Sequence, residues 1–126
     1  MPVPLPEHIL HSIELLSSLG PVRVRRMFGG FGFYIDEVFM AIGIGDELYL
    51  KTDDITRSRF EVVGCRPFVY EASSKAVTVS YWTAPAEALE SPALMLPWAR
   101  LAFESGLRAR AAKAPKRAIS RSRPSR

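Results

Sequence analysis

At 126 residues, 48% of them hydrophobic, the chain has material for one modest core and too much apolar content for a disordered protein. The net charge of +4 conceals a split: residues 1–106 hold nine Lys/Arg against thirteen Asp/Glu, whereas residues 107–126 hold eight Lys/Arg and no acid. A single cysteine, Cys65, excludes an intrachain disulfide and points to a reducing compartment.

The start, MPVPLPEHIL, lacks the basic n-region of a signal peptide, and the apolar run Val38 to Ile44 is far too short to span a bilayer. A cytoplasmic protein without membrane contact is expected. After Pro6, the residues Ile9, Ile13, Leu16 and Leu19 recur at helical spacing, widened by Leu10 and Leu15, and Gly20-Pro21 supplies a stop. His8 and His11 lie on this helix without Cys or acid at ligand spacing, so an exposed face is expected and no metal site.

From Arg25 to Lys51, three runs rich in β-branched and aromatic residues are separated by turns at Asp36-Glu37 and Gly45-Asp46, which predicts a three-stranded meander. Met27-Phe28-Gly29-Gly30 forms its structural opening, with glycines for a positive φ or a close backbone approach. Alternation assigns Phe31, Phe33 and Ile35 to one face and Tyr34 and Asp36 to the other; Leu48 and Leu50 oppose Tyr49 and Lys51. The middle strand, Val38 to Ile42, is apolar on both sides, which suggests a partner subunit.

Thr52-Asp53-Asp54 then opens a helix of about ten residues ending at Gly64, with Ile55, Phe60 and Val63 as its core contacts. A hairpin follows, with strands Pro67–Glu71 and Ala76–Trp82, and its second strand alternates Val77, Val79 and Tyr81 with Thr78, Ser80 and Trp82. Ser91-Pro92 starts the last helix, which buries Leu94, Trp98, Leu101 and Ala102, with Met95, Phe103 and Leu107 alongside, and ends at Leu107 or somewhat beyond; Pro97 either kinks it or marks its true start. The order α-βββ-α-ββ-α defines an α+β domain over 1–107, two layers with the helices mainly on one face of an antiparallel sheet. Residues 108–126, rich in small residues, serine, proline and arginine, are expected to be a disordered basic tail.

The chemistry-bearing residues give little support to an enzyme. Gly29-Gly30-Phe31-Gly32 lacks the Gly-Lys-Ser/Thr ending of a P-loop and precedes a strand, so the glycines read as structural. Arg23, Arg25 and Arg26 beside them read as surface charge paired with the acidic body, ahead of an anion site. Cys65, Ser73, Ser74 and Ser80 have no histidine and acid placed to activate them, Cys65 reads as a half-buried small hydrophobe, and Asp36-Glu37 and Asp53-Asp54 are explained by turn and cap positions. No catalytic residue and no cofactor site is expected.

Two features remain. Tyr34, Tyr49, Lys51, Thr78, Ser80 and Trp82 are placed together on the sheet face away from Leu48 and Leu50, suited to a protein partner or a homodimer, and alternatively to stacked nucleic-acid bases. Arg108, Arg110, Lys113, Lys116, Arg117, Arg121, Arg123 and Arg126 can neutralise phosphates without reading sequence.

The motifs RRMFGGFGFY, LYLKTDD, PFVYE and YWTAPAEALE, in this order before a closing helix, resemble the N-terminal domain of the TfoX/Sxy family of bacterial competence regulators. The resemblance spans residues 8–107 and implies a two-layer α+β fold similar to secretion chaperones. Full-length regulators of that family carry a second, helical domain and act with a cyclic-AMP receptor protein. This chain has its basic tail in that place and looks like a stand-alone N-terminal-domain protein. The implied role is a non-enzymatic regulator or adaptor, and the resemblance transfers no catalytic residue.

Overall fold

The computed structural model describes residues 4–27, 29–72 and 75–122, with side chains described outside 70–79 and 113–122. The chain runs α1 (Glu7–Leu16), β1 (Val22–Met27), β2 (Gly30–Ile35), β3 (Val38–Ile44), β4 (Glu47–Lys51), α2 (Arg57–Val62), β5 (Pro67–Ala72), β6 (Lys75–Thr83), a 3-10 turn (Ala86–Glu90) and α3 (Pro92–Ser122). The strands form one antiparallel sheet in the order β1-β2-β3-β4-β6-β5. The α+β class and the helix–sheet order agree with the sequence, with one strand added in front of the meander. That strand, VRVRRM, has the required period of two, but arginines occupy its solvent positions and mask its β character.

Short loops fix the register. Met27 pairs with Gly30 across a two-residue loop in which Gly29 has φ +73°. Ile35 pairs with Val38 across Asp36 and Glu37, both left-handed at φ 54° and 61°, the signature of a type I′ hairpin whose twist matches the strands. Gly45, at φ 60°, leads the loop that closes Ile44 onto Glu47. Gly30 is glycine for a different reason: a Cβ there would collide with the carbonyl oxygen of Gly43.

The core fills the space between the helices and one face of the sheet, with Ile9, Leu15 and Leu16 of α1 and Met95, Ala99 and Ala102 of α3 set against Phe33, Ala41, Leu50 and Trp82. Small residues on α3 let it approach closely; a Cβ on Gly106 would lie 2.6 Å from Val38 Cγ1 and 2.9 Å from the carbonyl oxygen of Phe39. On β3, Val38, Met40, Ala41 and Ile42 are all buried. Part of the reason is a register shift against β2 between Phe33 and Tyr34, which gives β3 an extra residue. The two-sided burial is reached inside one chain, so it does not by itself require a second copy.

Three helix assignments change. Of the expected α2 contacts only Phe60 is buried, edge-on to Trp98 at 5.1 Å; Ile55 and Val63 are exposed, because the helix proper is a six-residue segment. In the α3 stripe Met95, placed alongside, is fully buried, and Leu94 lies outside. The helix starts at Pro92, capped by Ser91 Oγ accepting from the Leu94 N–H at 3.1 Å, so Pro97 lies within it. It also runs well past Leu107, and the backbone of 108–122 is helical; the alanines, arginines and lysine up to Ala114 favour this, and Pro115 opposes it.

Candidate functional site

On the sheet face opposite the α1 and α3 core, hairpin register lines up a row of aromatic side chains. Tyr34 is opposite Arg23 on one neighbour and Phe39 on the other, and Lys51 is opposite Tyr81. The rings of Tyr34 and Phe39 stack at 5.0 Å, and Phe39 lies 5.8 Å from Tyr81. A cation closes each end: Arg23 Cζ is 4.5 Å from the Tyr34 ring and Lys51 Nζ is 4.9 Å from the Tyr81 ring. Beside this row, Tyr49 and Phe68 form a tilted pair at 5.0 Å. Phe39 fits onto the sheet because Gly32 below it has no side chain; a Cβ there would come within 2.9 Å of the Phe39 ring and of Met27 Sδ. All five aromatics are half-buried, so each keeps area for a partner.

The electrostatics suit contact chemistry better than proton transfer. Burial pushes the hydroxyl of Tyr81 well above the ordinary tyrosine range and raises Tyr49 as well, with Glu47 adding to the second effect. Both phenols therefore stay neutral hydrogen-bonding groups at physiological pH. Arg23 makes a bidentate pair with Glu37, at 2.7 and 3.1 Å, which holds its guanidinium near the Tyr34 ring.

The expected face is partly reassigned. Tyr34, Tyr49 and Lys51 stand where the alternation puts them. Trp82 does not: it pairs with Leu50 and is buried in the core, and Tyr81 takes the outer position. Ser80 lines a small cleft with Asp53, Ser105 and Arg108 on the helix side, and the side chain of Thr78 lies outside the described residues. With Ser80-Tyr81-Trp82-Thr83, polar and aromatic residues fall on both phases, so polarity alone misplaced the strand by one residue. Phe39 was missed although the Asp36-Glu37 hairpin itself sets it opposite Tyr34.

The cleft holds a lock. Asp53 accepts from Arg108 Nε at 2.6 Å and Nη2 at 3.1 Å, and its Oδ1 also accepts the backbone N–H groups of Ile55 and Thr56. Thr56 Oγ1 lies 3.1 Å from Ser105 Oγ in the buried layer below. The Arg108 guanidinium, foremost among these contacts, lowers the Asp53 carboxyl from 3.8 to about 2. Arg108 thus belongs to the folded body, whereas Arg110 is exposed. The side chains of Lys113, Lys116, Arg117 and Arg121, and all of Arg123 and Arg126, lie outside the described residues, as do Phe28, Ser73 and Ser74.

Elsewhere, burial raises the Cys65 thiol, keeping it protonated and weakly nucleophilic. His11 Nε2–H donates to the carbonyl of Leu89 at 3.0 Å. Among the described residues no three His, Cys, Asp or Glu side chains are grouped to hold a metal ion, and no helix is long and apolar enough to cross a membrane.

Fold and site together define a two-layer α+β domain with helices on one sheet face and a cation-capped aromatic row on the other. The chain belongs to the TfoX N-terminal domain family, whose model matches residues 14–105. It is 27% identical over 92 residues to the DNA transformation protein TfoX1 of Aliivibrio fischeri (strain ATCC 700601 / ES114), a match that covers 73% of this chain and 44% of the relative. The chain thus spans less than half the length of the curated relative it matches.

Proposed function

We propose that this chain is a non-enzymatic, competence-type regulatory or adaptor module that binds a protein partner, a second copy included, through the outer face of its sheet. The observation that carries this reading is the half-exposed row Arg23–Tyr34–Phe39–Tyr81–Lys51 with the Tyr49–Phe68 pair beside it. Rigid aromatics beside an arginine are the composition that interface centres favour. The family and the name of the relative, a DNA transformation protein, support a regulatory role. The basic segment from Arg110 onward adds salt-sensitive, sequence-blind affinity for nucleic acid.

A second reading places single-stranded nucleic acid on the same row, since every base can stack on an aromatic ring beside a cation. Size-exclusion chromatography with light scattering separates the two. The full chain and a chain ending at Arg110, which keeps the Asp53–Arg108 lock, are run with and without a DNA duplex and a single strand at two salt concentrations. The proposal expects DNA to shift only the full chain and only at low salt, and a Tyr34→Ala, Tyr49→Ala variant to lose self-association or partner capture. Retained single-strand binding by the shortened chain, abolished by the same pair of substitutions, overturns it in favour of the second reading.

A further inference from the structure

β1 is an edge of the sheet, with β2 on one side only. Its hairpin to β2 is closed by a two-residue loop at the pair Met27 and Gly30, and such a closing pair exchanges both of its hydrogen bonds. Counting back, Arg25 and Arg23 sit in bonded pairs with Gly32 and Tyr34. The N–H and C=O groups of Val22, Val24 and Arg26 are therefore directed to the free edge. Among the described residues, no backbone group of another element bonds to them.

The charges around this edge are unlike the rest of the body. Three of the six residues of β1 are arginine and none is acidic, while the body as a whole carries an excess of acid. The arginines leave the edge itself uncovered. Arg23 lies over Tyr34, on one face of the sheet, and Arg26 lies over Phe31, on the other, its Cζ 5.0 Å from the ring. Arg25 is exposed beside them. Val22 and Val24 pack on the core and hold the strand flat against β2.

Two copies pairing through this edge would set the arginines of one opposite those of the other, which is unfavourable across a strand pair. A strand carrying carboxylates meets the reverse situation on both faces. We propose that the free edge of β1 docks an extended acidic peptide of a partner protein, added as a further strand of the sheet. The main chain of Val22, Val24 and Arg26 supplies the ladder; Arg23 is already paired with Glu37, so Arg25 and Arg26, one on each face, select the charge. This rests on the reading of the domain as a protein-binding module and names the chemistry of the partner segment.

The test uses the full chain and two synthetic peptides, one alternating valine with glutamate and one alternating valine with lysine. Fluorescence anisotropy should show binding of the glutamate peptide alone. Residue-resolved amide exchange should slow at Val22, Val24 and Arg26, with little change at Arg23 and Arg25, whose amides are already bonded to β2. The double variant Arg25→Glu, Arg26→Glu, with a urea midpoint near that of the parent, should weaken the glutamate peptide at least about tenfold and admit the lysine peptide. Equal binding of the two peptides, no binding of either, or protection at β5 in place of β1 would each overturn the assignment. If the glutamate peptide instead perturbs Tyr34, Tyr49 and Tyr81 without protecting β1, the edge assignment falls and the partner-module reading stands. Loss of that reading shows separately, as a Tyr34→Ala, Tyr49→Ala chain with unchanged assembly and capture.

Discussion

Replacing Asp53 by asparagine tests the lock that fixes α3 to the start of α2. Asparagine keeps an oxygen for the Ile55 and Thr56 N–H groups, at 3.1 and 3.2 Å, so the turn leading into α2 survives and the charge pair with Arg108 is removed. The drop of the carboxyl from 3.8 to about 2 corresponds to about 2 kcal/mol at neutral pH. Solvent reduces this, since the Asp53 side chain is 28% exposed and Arg108 38%; about 1 kcal/mol is expected. Because the folded-state value is depressed, the contribution is complete above the unfolded carboxyl value, near pH 4, and is lost as pH falls towards 2. Urea unfolding of parent and Asp53→Asn from pH 7 to pH 2 should therefore show a gap that is widest at neutral pH and closes in acid. A gap below about 0.3 kcal/mol at pH 7, or one that does not change with pH, refutes the lock.

The close approach of α3 predicts that Gly106→Ala destabilises the protein by about 2 kcal/mol, opposite to the gain of about 1 kcal/mol that helix propensity alone would give. The reason is the contact with Val38 and the Phe39 carbonyl, and chemical denaturation reads the sign. Gly30→Ala should prevent stable folding, because the obstructing atom is the backbone oxygen of Gly43, and circular dichroism on purified protein checks it. The reassigned phase of β6 predicts that Trp82→Ala costs about 3–5 kcal/mol and Tyr49→Ala much less, measured by urea midpoints. Equal costs would contradict the placement of Trp82 in the core.

The parts of the fold that were legible in the sequence are those where one local rule decides. Gly20-Pro21, Asp36-Glu37 and Gly45-Asp46 each force a turn, and the Leu48–Leu50 alternation has one possible phase. β1 was hidden because a strand with arginine at three of its six positions resembles surface coil by composition. The phase of β6 was undecidable from polarity, since Tyr81 and Trp82 are neighbours and both faces offer them a place; only pairing with β4 resolves it. For α3 the apolar residues outnumber the positions in contact, and Met95 and Gly106 are chosen by how closely the helix can approach β3. The Asp53–Arg108 pair spans 55 positions, and no local pattern marks it. Within the candidate face, Tyr34, Tyr49 and Lys51 follow from alternation, whereas Phe39 and Tyr81 need the register.

The same lock sets a limit on what the basic segment can do. Residues 107–126 hold eight cations, and one of them, Arg108, is neutralised within the body by Asp53. At most seven of the eight are then available for phosphates. Each neutralised phosphate contributes about 0.9 to the slope of log affinity against log salt, so binding to duplex DNA should have a slope no steeper than about −6. Asp53→Asn frees Arg108 and should steepen the slope by up to about one, while Arg110→Ala should flatten it by a similar amount. Titrations at three or more salt concentrations decide between the cases. A parent slope near −7 or beyond would mean that Arg108 leaves Asp53 when DNA binds, and then the lock is exchanged for phosphate and α3 is no longer tied to the turn before α2 in the complex. A slope indifferent to both substitutions would instead place the binding surface on the sheet.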